Sequence, residues 1–125
     1  MSRNLLWMDS RAGLLVGALT LALGYWLAPW YGLSLSLLLL IAAANLAYGA
    51  FSGWLLARAR PRPLWLIHAL VVANLAWAAV CLLIAGLHLA EARWLGLAHL
   101  VSEAVFVGGL AVMEWRQRFA LQTAA

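Results

Sequence analysis

The chain contains no lysine, one cysteine, three prolines and four acidic residues in 125. Each scarcity excludes something. A lone Cys81 allows no internal disulfide and no CxxC metal or redox pair, and its place inside an apolar run reads as a small buried hydrophobe. No phosphate-cradling glycine loop, HExxH or GxSxG is present, and no stretch is polar enough to hold ATP. Charged residues make up only 10% of the chain and hydrophobic ones 67%, with a mean hydropathy of +0.96. A water-soluble domain is about half apolar, so this chain would fold in water only with leucine on its surface. Its solvent is a bilayer. The sequence pI near 10.2 can suggest nucleic acid. Here the arginines stand at the ends of apolar segments, so the basic balance reads as membrane orientation and no nucleic-acid partner is expected.

What is present is four apolar runs. A helix crossing the ~30 Å hydrocarbon core needs about 20 mostly apolar residues. Residues 13–30, 35–57, 64–87 and 94–115 supply them. A short turn, Tyr31-Gly32-Leu33-Ser34, joins the first two. Arg58-Ala59-Arg60-Pro61-Arg62-Pro63 ends the second, because two prolines and three charges do not continue a helix. His88-Leu89-Ala90-Glu91-Ala92-Arg93 separates the last two. The first run is too long for a signal-peptide core and leads straight into another span, so it reads as a retained helix. Residues 1–12 read as a cytoplasmic or interfacial arm, with Asp9 or Ser10 capping the first helix and Leu5, Leu6 and Trp7 resting on the membrane surface. Residues 116–125 read as a cytoplasmic tail.

Arg3, Arg11, Arg58, Arg60, Arg62, Arg116 and Arg118 fall on one side of the membrane and only Arg93 on the other. The positive-inside bias therefore places both termini in the cytoplasm of a bacterium, in its inner membrane. Trp26, Trp30, Trp54, Trp65, Trp94 and Trp115 fall near span ends, as an aromatic belt does. Trp77 alone lies deep. Short connections make neighbouring helices antiparallel, so the expected fold is an all-α integral membrane four-helix bundle, up-down-up-down. Gly13/Gly17 and Gly49/Gly53 have GxxxG spacing and mark possible close helix contacts, within the protomer or with another copy.

Two near-identical heptamers, ANLAYGA at 44–50 and ANLAWAA at 73–79, each place an asparagine inside an apolar run. Counting ~1.5 Å per residue from the span ends puts Asn45 and Asn74 near one depth, and Glu103 of the fourth span at a similar level. The expected site is a mid-membrane polar layer of Asn45, Asn74 and Glu103. Tyr48 and Trp77 lie three residues beyond the asparagines, and His99 and Ser102 share a face with Glu103. Interhelical hydrogen bonding alone would explain the asparagines. A carboxyl is a poor choice for that purpose, and an intramembrane ionisable residue defaults to a functional candidate.

The remaining histidines, His68 and His88, read as interfacial. A haem between His88 and His99, or a metal held by His88, Glu91 and His99, is weakly signalled, so neither a cofactor nor a metal is expected. Acid–base catalysis by His99 and Glu103 would place a whole site on one helix, and whether the chain is an enzyme stays open.

Asp9-Ser10-Arg11, the Arg58–Pro63 turn, the Asn-x-x-Trp of Asn74–Trp77 and the Glu114-Trp115 exit together resemble the small four-helix inner-membrane proteins of bacteria, a loose grouping that includes DoxX-like proteins. The resemblance runs over the whole chain and implies an inner membrane and little about activity. Small multidrug transporters have a similar layout but carry a carboxylate in their first helix, where residues 13–30 have none. The expected function is an accessory or apolar-ligand-binding protein, holding a lipid, a quinone-like molecule, a partner membrane protein or another copy against the polar layer. The alternative is a small proton-coupled transporter or channel using Glu103.

Overall fold

The computed structural model describes residues 2–123 and the side chains of residues 4–123. The outer ends of the expected arm and tail, and the side chain of Arg3, lie outside the described residues. The chain forms α1 (Ser2–Tyr31), α2 (Leu35–Ala57), α3 (Leu64–Leu87), α4 (Trp94–Arg116) and the short α5 (Arg118–Thr123). Among the described residues there is no strand. The first four helices are long and apolar enough to cross a membrane, the pattern of a multi-pass membrane protein.

Local chemistry sets several helix ends. The Ser34 hydroxyl accepts the Leu37 N–H at 3.1 Å and caps α2. Arg58 leaves the helical conformation at the end of α2, and Pro61 and Pro63 occupy the loop before α3. Gly32 adopts φ +66°, where a Cβ would lie 2.5 Å from the Glu91 carbonyl oxygen. Only glycine fits that backbone and that approach. It lets the 31–34 turn dock on the loop after α3, where the Arg93 N–H donates to the Tyr31 carbonyl at 2.8 Å.

The N-terminal arm differs from expectation. Residues 2–12 are the first turns of α1, continuous with the apolar run. Asp9 and Ser10 therefore sit inside a helix and cap nothing. Leu5 and Leu6 are buried, not spread on a surface. The reason is periodic: Leu6, Asp9, Ser10, Gly13, Gly17, Thr20 and Gly24 form one buried stripe at helical spacing. The Ser10 hydroxyl donates across the interface to the Gly49 carbonyl at 2.9 Å.

That stripe packs along α2. A Cβ on Gly13 would lie 2.8 Å from the Asn45 carbonyl oxygen and 2.9 Å from Gly49 Cα; one on Gly49 would lie 2.6 Å from Leu14 N. Gly17 meets Ala42 and Leu46, and Gly53 meets Ser10. The two GxxxG pairs thus face each other within one chain, and the missing side chains let the backbones touch. α3 packs along α4, and α1 also touches α4. A core of Leu38, Ile41, Trp77, Cys81, Ile84 and Leu100 ties α2, α3 and α4 together.

The tail also folds back. Leu121 of α5 is fully buried against Leu6, Leu55, Leu66, Ile67 and Leu70. Arg62, 1% exposed, fastens this end. Its guanidinium donates to the carbonyls of Leu55 (2.6 Å), Leu56 (3.0 Å) and Leu121 (2.8 Å). Two of these are C-terminal carbonyls of α2, where a cation is favoured. Burial, and then the neighbouring Arg60 charge, lowers the pKa of Arg62 from its ordinary value.

Candidate functional site

Glu103 of α4 is 9% exposed and surrounded by donors from three helices. Its Oε1 accepts from Asn45 Nδ2 of α2 at 2.5 Å and from Trp77 Nε1 of α3 at 2.8 Å. Its Oε2 lies 2.9 Å from Nε2 of His99, one turn earlier on α4. A carboxylate only accepts, which fixes the Asn45 amide with its nitrogen toward Glu103. The second amide hydrogen returns to the Ile41 carbonyl at 2.9 Å. With His99 Nε2–H donated to Glu103, a neutral ring leaves Nδ1 to accept from the Tyr31 hydroxyl, 3.0 Å away. The chain Tyr31–His99–Glu103 then runs from the end of α1 to the centre of α4.

Asn74 does not join this group. Its Nδ2 donates to Asp9 Oδ2 of α1 and to Glu114 Oε1 of α4, both at 2.8 Å. Glu114 lies about three turns, roughly 16 Å, along α4 from Glu103 and on the same face. The expected single layer is therefore two clusters. One holds Asn45, Trp77, His99, Tyr31 and Glu103; the other holds Asp9, Asn74 and Glu114. Counting residues from span ends levels the two asparagines but leaves out Asp9, which by composition belongs to the arm. It also leaves out Glu114, which reads as a helix exit, and Tyr31. A signal for Asp9 and Glu114 existed. Asp9 sits four residues before Gly13 on the α1 stripe, and Glu114 repeats the face of Glu103 at an 11-residue interval. Tyr31 had no such signal, because it reaches His99 only through the docking of the 31–34 turn.

Between the clusters lies a cavity of about 420 Å³. Of the sequence-derived candidates, Asn45, Tyr48, Asn74, His99, Ser102 and Glu103 line it. Trp77 stands behind Glu103, its ring 6.1 Å from that of Tyr48. Asp9 completes the polar part of the wall, and Leu15, Val16, Phe106, Val107 and Leu110 supply much of the apolar part. Leu15 of α1 and Phe106 of α4 are exposed, so the cavity opens on the flank of the bundle between these two helices.

The other histidines take no part. His88 Nδ1 contacts the Ile84 carbonyl at 2.9 Å, and the His68 ring lies 5.2 Å from that of Trp115. Among the described residues, no group of three or more His, Cys, Asp and Glu could hold a metal ion.

These features define a class: an all-helical chain with four helices long and apolar enough to cross a membrane and a partly polar cavity between the first and last of them. Compared with known family models, curated proteins and solved structures, the chain has no match.

Proposed function

We propose that this chain is a small multi-pass protein of the bacterial inner membrane that binds an apolar ligand in the α1–α4 cavity. The proposal includes an up-down-up-down bundle with both termini in the cytoplasm. The cytoplasmic termini are supported by the arginine bias, and the up-down order by two sets of contacts. The 31–34 turn meets the 91–93 loop, and the 58–63 loop meets α5. One observation carries the ligand reading: a cavity of about 420 Å³, large enough for a small amphiphile, opens on the flank that would face hydrocarbon and ends in groups that orient a polar head. A lipid or a quinone-like molecule would enter sideways, without crossing water. Mere hydrogen-bond glue between helices would need no such space.

The test is native mass spectrometry of the protein extracted in mild detergent from its own membranes. The expected spectrum shows a reproducible extra mass of a few hundred daltons, in keeping with a cavity of this class, that is lost in Glu103→Leu. Bare protein, or bare multiples of it, overturns the reading.

A second reading is a small proton-coupled transporter or channel. It is favoured by the repetition of a carboxyl, Glu103 then Glu114, along one face of α4. It requires proton-dependent flux in proteoliposomes that Glu103→Gln abolishes. Flux unchanged in that variant rejects it.

A further inference from the structure

Three of the four acidic residues of the chain are buried, Asp9, Glu103 and Glu114. Two of them, Asp9 from α1 and Glu103 from α4, form part of the cavity wall. Among the described residues, no arginine lines that wall. Arg62 turns its guanidinium to main-chain carbonyls at the C-terminal end of α2, and Arg11 is exposed and stacks on Trp7, 4.2 Å from the ring centroid. His99 is the one basic side chain on the wall, and it is engaged by Glu103 and Tyr31. Its charge, when present, offsets Glu103 alone. Asp9 meets no cation: its partners are a neutral amide, Asn74, and a further acid, Glu114, which shares that amide and hydrogen-bonds Asp9 itself. Buried charge persists in a medium of low dielectric only when something compensates it. Tyr48 and Phe106 line the same cavity, and aromatic faces attract cations.

The geometry points to a hydrophobic cation as the ligand of this cavity. The class is an amine or quaternary ammonium whose charge sits between Asp9 and Glu103 and whose carbon skeleton lies along Leu15, Val16 and Phe106. This rests on the reading of the α1–α4 cavity as a ligand site and adds a choice of charge to it.

The test titrates the full-length protein in non-ionic detergent with tetraphenylphosphonium and with tetraphenylborate, ions of one shape and opposite charge, after subtraction of an empty-micelle titration. The expected result is phosphonium binding at least about tenfold tighter than borate binding, with Asp9→Asn and Glu103→Gln each weakening it about tenfold. Neutral triphenylphosphine oxide should bind wild type and Asp9→Asn alike. The two-ion comparison uses wild-type protein, so misfolding of a variant does not remove it. Borate binding as tight as phosphonium, or no phosphonium binding, overturns the choice of charge. If the native mass spectra still carry an adduct in that case, the ligand cavity itself survives; if they do not, both readings fall.

Discussion

Glu103 and Glu114 occupy one face of α4, and each accepts a hydrogen bond from a buried asparagine. Their surroundings are nonetheless opposite. Both oxygens of Glu103 are filled, by Asn45, Trp77 and His99, and the carboxyl borders a cavity. Glu114 is 0% exposed, and its Oε2 has no hydrogen-bond partner among the described residues. It also shares its single amide donor with a second acid, Asp9. The protein's own dipoles replace water around Glu103. Around Glu114 that replacement is incomplete. The difference teaches that the depth of an intramembrane carboxyl says little by itself; the number of donors brought to it decides its cost and its use.

The same substitution at the two asparagines should break this comparison most sharply. Asn74→Leu removes the one donor common to two buried acids and should cost about 3 kcal/mol, as for other buried charges stripped of a partner. Asn45→Leu leaves Glu103 with Trp77 and His99 and should cost about 1 kcal/mol, within the range of single interhelical hydrogen bonds in membranes. Unfolding in detergent followed by tryptophan fluorescence reads both. Equal losses would mean that the two clusters are energetically alike.

Isosteric neutralisation of the acids is the next test. Glu103→Gln turns one acceptor into an amide N–H2 facing donors, and should destabilise by about 1–2 kcal/mol. Glu114→Gln puts a permanent amide donor where a shared proton joins Glu114 to Asp9, and should leave stability unchanged or raise it by up to about 1 kcal/mol. A larger loss at Glu114 than at Glu103 would reverse the assignment of which carboxyl is the better supported.

The smallest effect is expected at the outer end of the Glu103 cluster. Tyr31→Phe removes one hydrogen bond to His99 and should cost about 0.6 kcal/mol. It should also move the ring-nitrogen chemical shifts of His99 in isotope-labelled protein, because Nδ1 loses its partner. Unmoved shifts would show that Tyr31 and His99 are not coupled.

How much of this was legible in the sequence varies by feature, for physical reasons. The ends of α2 are plain to read: Ser34 is a capping residue, and the Arg-Pro run after Ala57 denies both hydrocarbon solubility and backbone donors. Glu103, Asn45 and Asn74 stand out because a polar side chain in an apolar run is rare and costly. The GxxxG pairs are visible as spacing. The start of α1 is not legible, because Asp9-Ser10-Arg11 has the composition of a helix start, while its burial depends on Asn74 and Gly49, which are remote in the chain. The fold of the tail was invisible for the same reason. Nothing local distinguishes Leu121 from any other leucine until Arg62 reaches its carbonyl.

By itself the sequence determined the solvent, the number of long helices, the asymmetry of arginine and the identity of the buried polar residues. These follow from composition and from periodicity along the chain, which are local quantities. Only the tertiary structure decided that Gly13 meets Gly49 and that Asn74 answers Asp9 and Glu114 instead of Glu103. It also decided that a cavity lies between α1 and α4. Those outcomes depend on helix rotation and axial offset, which close backbone contacts at glycine set to within a fraction of a turn. A shift of one residue along a helix rotates a side chain by about 100°, enough to give each asparagine a different partner.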